Sequence, residues 1–420
     1  MRRLNPLVMV YLVVTAAFAG SFSFAVQGQS GATEAPAGFD SRTNGFLSQV
    51  DYDSARTTFE ERDEIRDGLG PLYNAQSCAE CHQTPVTGAG SQISELRAGH
   101  RDSFGNFVDA PGGSLINDRA IRAAIQEYVP DTENVRTFRM STSTLGAGFV
   151  EAISSFTLQA IADAQPGQSG GLIAGQVIKV PVAETQGLLR AGRFGWKNQH
   201  ASLLSFAGDA YLNEMGITNR LNLKENTSMG DSVDAYDNVP DSTLCADGSG
   251  DVCGEDPDGD IDIFAAFMRS TKAPPRALGS GLDPDVLAGE RLFDSTGCTI
   301  CHIPSITTAA ISVVRYRGPF TAVPDALTNK IIHPYSDFLL HDIGTGDGIV
   351  QNGGQTTARK LRTQPLWGGR TRSRRMHDGR SLTYLDATLR HGREARNVTF
   401  SFRALSEAQQ NQILAFLGSL

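Results

Sequence analysis

The sequence predicts a mainly α fold with long irregular loops, divided into two halves. Three observations carry that expectation. The pattern Cys-x-x-Cys-His occurs twice, as Cys78-Ala79-Glu80-Cys81-His82 and as Cys298-Thr299-Ile300-Cys301-His302. Far downstream of each copy comes a similar apolar helical end, Ala266-Phe267-Met268-Arg269-Ser270 and then Ala415-Phe416-Leu417-Gly418-Ser419. Finally, 44 glycines and 18 prolines in 420 residues call for many turns between the helices. A chain of this length is expected to form two domains, each able to bury a core.

In chain order, residues 1–25 read as an export leader. Arg2 and Arg3 precede an apolar run from Leu7 to Val14, and Ala17-Phe18-Ala19 offers a small-residue cleavage site, with a second after Ala25. The apolar stretch to Val26 is nearly long enough to span a bilayer, so the alternative is an uncleaved anchor, the one case in which membrane contact is expected. Either way the globular part is expected in the periplasm. Residues 26–44 form a Gly/Ala/Pro-rich spacer.

The first domain is expected over 45–272, with large insertions. A polar helix over Ser54–Arg66 runs into Gly68-Leu69-Gly70-Pro71, just before the first motif. Residues 83–140 read as mostly loop with one short helix near Arg119–Tyr128. Gly146-Ala147-Gly148 leads into the apolar run Phe149–Ile153, which carries Glu151. A Gly-rich loop is expected over Gln165–Gly175, a helical stretch within Arg193–Met215, and a polar, acidic insertion over Asn226–Asp260. The helix Ile261–Thr271 ends at Ala273-Pro274-Pro275. A linker, 273–282, leads to the second domain, 283–420. There Asp283 can cap a helix whose first residue is Pro284. Gly289 and Phe293 share one face, which invites the close approach of a second helix. Ser406 with Gln409 makes a capping box before the apolar face of Ile413, Leu414, Phe416 and Leu417. This half is similar to a small cytochrome c, in which the first and last helices cross above a haem.

The repeated motif has the spacing for covalent c-type haem attachment: two thiols add to the vinyl groups, and the adjoining imidazole binds iron. The alternatives are a zinc knuckle or a redox dithiol. Two copies behind an export signal favour haem, because exported dithiols without a metal tend to oxidise. The expectation is therefore two covalently attached haem c groups, held by Cys78, Cys81 and His82 and by Cys298, Cys301 and His302. The remaining Cys245 and Cys253 are expected to bridge each other. A net charge of −9 with no basic stripe argues against a nucleic-acid partner and is compatible with a basic protein partner. Asp256, Asp258, Asp260 and Asp262 suit oxygen-loving calcium, but the twelfth position of an EF-hand would fall on Phe267, so a solvated loop is the expectation.

Several blocks together resemble a known group: Asp67-Gly68-Leu69-Gly70-Pro71-Leu72-Tyr73-Asn74-Ala75, Gly192-Arg193-Phe194-Gly195-Trp196-Lys197, His333-Pro334-Tyr335-Ser336-Asp337 with Leu340-His341-Asp342-Ile343-Gly344, Pro365-Leu366-Trp367-Gly368, and His377-Asp378-Gly379-Arg380 through His391-Gly392. Over about residues 45–420 the chain is similar to the bacterial di-haem oxidoreductase family. That family is related to the di-haem cytochrome c peroxidases and to the enzyme that matures methylamine dehydrogenase. The resemblance implies that His391 is the distal ligand of the second iron, where the peroxidases carry methionine. Because methionine raises an iron's potential relative to histidine, the exchange puts plain cytochrome c peroxidase activity in doubt. His100 is similar in position to a displaceable ligand of the first iron. Glu151, if buried with a raised pKa, would be an acid/base over the first iron. Trp196 is the candidate for carrying an electron between haems. His341 and His377 are expected to make structural hydrogen bonds, and calcium between the haem domains is implied without assignable ligands. The expected function is a periplasmic, peroxidase-like oxidoreductase with a catalytic N-terminal haem and an electron-transfer C-terminal haem, using hydrogen peroxide and a redox partner protein. The rival is a non-catalytic di-haem electron carrier.

Overall fold

A capping side chain starts most of the longer helices. In the computed structural model, which describes residues 31–242, 244–246, 252–310, 313–315, 320–322 and 325–420, these are α1 (Gln49–Glu60), α2 (Cys78–Cys81), α3 (Ala147–Glu151), α4 (Ser155–Gln168), α5 (Leu203–Met215), α6 (Asp260–Ser270), α7 (Pro284–Ser295), α8 (Tyr384–Leu389), α9 (Arg396–Ala404) and α10 (Glu407–Leu417). Ser48, Ser77, Ser154, Ser202, Asp283, Thr383 and Ser406 each accept a hydrogen bond from a first-turn N–H, satisfying donors the helix itself leaves open. The expected leader, residues 1–25, lies outside the described residues. No helix among the described residues is long and apolar enough to cross a membrane.

The expectation of a mainly α fold is corrected. The described residues are 32% helix and about 15% strand, a mixed α/β fold with several small sheets. The largest difference falls in residues 83–140, expected as loop. There Ser94–Arg101 pairs antiparallel with Phe107–Asp109, Leu115–Ile116 and Val135–Met140. The expected helix near Arg119–Tyr128 is instead a two-residue strand, Arg119–Ala120, and a 3-10 turn, Ala123–Ile125. Ser-Glu-Leu-Arg-Ala-Gly-His-Arg and Val-Arg-Thr-Phe-Arg-Met mix polar and apolar residues without clean alternation, which blurs the period of a strand. Phe107–Asp109 returns as a hairpin, but Val135–Met140 joins from well downstream, which hides the sheet from a local reading. The expected Gly-rich loop at Gln165 also begins later, because α4 runs through Pro166 to Gln168.

The larger core joins α1, α3, α5 and α6 through Tyr52, Phe59, Phe149, Leu204, Phe264 and Phe267, and it also takes Ile306, Ile332, Phe338 and Trp367 from the later part of the chain. Phe59 lies 4.6 Å from Phe267 and meets Phe264 edge-on at 6.0 Å; each buried aromatic of this kind contributes about 1.5–3 kcal/mol. Thr33–Glu34, in the spacer, lies parallel to Lys330–Ile331, so the spacer adds a strand to a sheet from the second half of the chain. Cys245 and Cys253 stand at disulfide distance, with their Cα atoms 5.1 Å apart.

A smaller core holds Val286, Phe293, Tyr335, Phe402, Ile413 and Phe416. Here α7 crosses α10 over Gly289. A Cβ built there would meet the Gln412 carbonyl oxygen at 1.9 Å and the Phe416 Cβ at 2.9 Å. Gly289→Ala must therefore push the two helices apart, at an expected cost of about 1–3 kcal/mol. The measurement is a lower urea midpoint with an unchanged slope. Gly281→Ala, where nothing lies within 4 Å of an added Cβ, should leave the midpoint in place.

Candidate functional site

Two cavities open beside the two Cys-x-x-Cys-His segments. At the first, Ser77 caps the short α2 and the His82 N–H donates to the Cys78 carbonyl at 3.0 Å. His82 Nδ1 lies 3.2 Å from the Ala89 carbonyl oxygen, so it carries the proton and leaves the Nε2 lone pair free. Burial lowers its pKa to about 4, keeping the ring neutral, the form that binds a metal. Phe59 packs 6.3 Å from the imidazole. Among the described residues His82 is the only histidine lining this cavity, which also takes Met268, Glu95, Arg97 and Glu214.

The second cavity is built differently. Gly297, at φ +91°, turns the chain into the Cys298–Ile300 segment. His302 Nδ1 lies 2.9 Å from the Tyr335 carbonyl oxygen, and His391 Nδ1 lies 2.8 Å from that of Ala387. Burial lowers both pKa values, that of His302 to about 4. The two rings face each other with centres 6.4 Å apart and planes inclined at 58°. One iron held by both imidazoles needs a similar gap: two metal–nitrogen bonds of about 2 Å and two ring half-widths of about 1 Å give about 6 Å.

Haem therefore fits on geometry. It fits on polarity too. Arg362 Nε, Arg375 Nε and His377 Nδ1 are buried without a hydrogen-bond partner, and their residues line this second cavity. The propionates of a haem are the acceptors such donors lack.

Trp196 lines both cavities. Its Nε1 donates to the Met140 carbonyl at 2.8 Å, and its ring meets His377 edge-on at 6.0 Å. His341 is clamped between Asp337 at 2.8 Å and Glu394 at 3.0 Å. Desolvation lowers its pKa, but the Asp337 charge outweighs that and holds the ring protonated. His377 is buried and pushed down to about 4.

Two of the expected site residues stand away from both cavities. Glu151 is buried, but it is ion-paired rather than poised to carry a proton. Its Oε2 lies 2.7 Å from Arg269 Nε, and its Oε1 accepts from the Leu203 N–H at 2.7 Å. Against desolvation, which raises its pKa, the Arg269 charge holds the carboxyl below the ordinary range, and Glu151 lines neither haem cavity. His100 sits on Ser94–Arg101, partly exposed and 3.0 Å from Glu133, away from the first cavity. The alternating aspartates are otherwise occupied as well. Asp256 accepts from the Asp260 N–H at 2.7 Å at the start of α6, and Asp262 pairs with Arg220. A separate oxygen-only cluster among the described residues is Glu225, Asp237 and Glu255.

The sequence reading missed Glu95, Arg97 and Glu214. Arg97 grips Glu95 at 2.8 and 3.2 Å. Desolvation raises the Glu95 pKa, and the Arg97 charge more than reverses it; Glu214, beside that anion, is raised by burial and then by Glu95. The available signal was Glu95 and Arg97 standing two apart, on one face of a strand.

Neutral, buried imidazoles beside paired cysteines, in cavities lined by apolar side chains and guanidiniums, define a haem protein with redox chemistry. The chain belongs to the family described as "Di-haem oxidoreductase, putative peroxidase", whose profile matches residues 122–420. No curated protein matches it. One solved structure it resembles is the "Kuenenia stuttgartiensis Hydrazine Synthase Pressurized with 20 bar Xenon", at 12% identity over 99% of this chain and 100% of that one, with a TM-score of 0.39. A likeness that slight supports no statement about this chain.

Glu151→Gln removes the carboxylate facing a buried guanidinium and should cost about 3–5 kcal/mol, read by urea unfolding at neutral pH. The sign follows from the depressed pKa. The native carboxyl holds its proton less tightly than the unfolded one, so the stabilisation is present above the ordinary value of 4.5 and is lost as pH falls through the native value. The wild-type advantage over the variant should shrink in acid.

Proposed function

We propose that the protein is a periplasmic, peroxidase-like oxidoreductase whose first haem reacts and whose second stores and relays electrons. The observation that carries this reading is the asymmetry of the cavities: one histidine at the first, and a facing pair, His302 and His391, at the second. In the covalent form proposed here, each of Cys78, Cys81, Cys298 and Cys301 adds its sulfur to one vinyl carbon and its hydrogen to the other. Bound haem supplies the one-electron chemistry for splitting peroxide, in which hydrogen peroxide takes two electrons and two protons to give two waters. The electrons come from a redox partner protein.

In this reading Glu214 takes the proton-moving role expected of Glu151. Its Oε2 accepts from Asn74 Nδ2 at 2.8 Å, which leaves Oε1 for a proton shared with Glu95. Two adjoining carboxyls cannot both ionise cheaply, so one stays protonated and ready to donate. Arg97 fixes Glu95 as the ionised partner. Trp196, touching both cavities, is the residue proposed to lie on the electron path. For the calcium that the resemblance implies, Glu225, Asp237 and Glu255 are the proposed ligands.

The second reading, an electron carrier with both irons six-coordinate, is favoured by Met140, Met215 and Met268, which line the first cavity and bring thioether sulfurs there. Low-temperature electron paramagnetic resonance of the oxidised protein separates the two. A high-spin signal altered by peroxide supports catalysis; two low-spin signals indifferent to peroxide support the carrier.

His391→Met should raise the potential of the second haem and leave the first haem's spectrum in place. An unchanged second-haem spectrum and potential would remove His391 from the coordination sphere. Glu214→Gln should slow peroxide turnover by about 10²–10⁴-fold while both haem spectra persist. It should also flatten the loss of stability with rising pH. The native carboxyl binds its proton more tightly than the unfolded one, so that contribution is present below the ordinary value and disappears as pH climbs through the raised one.

A further inference from the structure

The segment from His341 to Gly348 has two faces. His341, Ile343 and Thr345 line the second haem cavity, whereas Asp342, Gly344 and Gly346 line a separate polar cleft. From His341 to Gly346 the two sets alternate along the chain, so one thickness of backbone separates cleft and cavity. Glycine is required in this wall. A Cβ at Gly346 would meet the Arg359 carbonyl oxygen at 2.1 Å, so only glycine lets the stretch bearing Arg359 approach so closely. The Gly-x-Gly pattern at 344–346 thus serves close backbone packing.

Four arginines converge on the cleft, Arg101 and Arg136 from the sheet and Arg359 and Arg393 from the later chain, and all are exposed. Their charges are poorly matched. Arg393 reaches Asp342 at 3.4 Å. Asp347 is already held by Arg139 at 2.8 Å and Lys197 at 2.9 Å. Arg101 donates to the Gly105 carbonyl, and Arg136 to those of Glu133 and Pro130, which are neutral acceptors. Arg359 has no carboxylate within ion-pair distance among the described residues. Three unneutralised guanidiniums thus share a concave site on a chain whose net charge is −9. Such an arrangement is held against mutual repulsion unless an anion fills it.

We propose that this cleft binds a compact multivalent oxyanion, one carrying two or more carboxylate or phosphate groups. The planar fork of arginine matches both group types in bidentate fashion, and the cleft's walls come from widely separated parts of the chain, as a specific site's do. A bound anion would also be linked to the second haem cavity. The Asp342 N–H donates to Glu394 Oε1 at 2.9 Å, and Glu394 Oε2 lies 3.0 Å from His341 Nδ1.

The test is isothermal titration of the haem-loaded, full-length protein at low ionic strength, with pyrophosphate in one arm and citrate in the other. Saturable binding at one site per chain is expected for at least one of them. The tighter arm identifies the source as phosphate or carboxylate. Arg359→Gln and Arg101→Gln should each weaken binding by roughly tenfold or more, the loss of one charge-assisted contact, while Arg359→Lys recovers part of it. Far-ultraviolet dichroism and the haem spectra of these variants check that the fold is kept. Absence of saturable heat in both arms, or equal affinity in the wild type and both glutamine variants, overturns the proposal. Neither result bears on whether the first haem reacts with peroxide.

Discussion

Both cavities depend on one device, an imidazole that donates its Nδ1 proton in a hydrogen bond to a main-chain carbonyl inside an apolar wall. His82 does so with Ala89, His302 with Tyr335 and His391 with Ala387. The carbonyl fixes the tautomer, and burial removes the charged form. The one strong donor left to each ring is therefore Nε2, already aimed. For His391 the acceptor lies one turn back along α8, so the helix end itself sets the ring's direction. Nothing comparable orients His100, whose Nδ1 faces a carboxylate on a partly exposed strand.

Charge in the interior follows a second rule that separates framework from chemistry. Glu151 with Arg269, Asp347 with Arg139 and Lys197, and Asp337 with His341 are opposite charges packed together. Each carboxylate in these sets is pinned in its ionised state, because losing the partner's field in a medium of low polarity is costly. Glu95 and Glu214 break the rule, since two acids adjoin in the first cavity with one guanidinium between them. Such a pair keeps a proton where a matched pair cannot. Burial alone does not make a carboxyl an acid; what counts is which charge it is buried with.

That distinction explains what could be read from the sequence. The caps at Asp283 and Ser406 and the crossing over Gly289 are local patterns, and each appears in the structure where the residues placed it. The sheet around Ser94–Arg101 was illegible because its longest pairing, with Val135–Met140, comes from well downstream and its strands carry many charged residues. Glu151 misled because its neighbours in sequence are apolar. Its actual neighbour, Arg269, lies in α6, and only the packing of α3 against α6 brings the two together. Glu214 was hidden for the opposite reason: in sequence it is an ordinary polar position near the end of α5, and its meaning comes from a strand far away.

The unforeseen sheet also sets the wall between the cavities. Trp196 is held from one side by the Met140 carbonyl, at the last residue of the Val135–Met140 strand, and from the other by its own carbonyl, which accepts from the Arg362 N–H at 2.9 Å. Its ring therefore stands between a residue anchored in the first cavity's sheet and a segment that lines the second cavity. Arg139, next to Met140 in that strand, is fixed to Asp347, so the two sides are tied by a buried ion pair as well as by the indole. The register of the Val135–Met140 strand and the Arg139–Asp347 pair thus fix how the two cavities stand on either side of the indole.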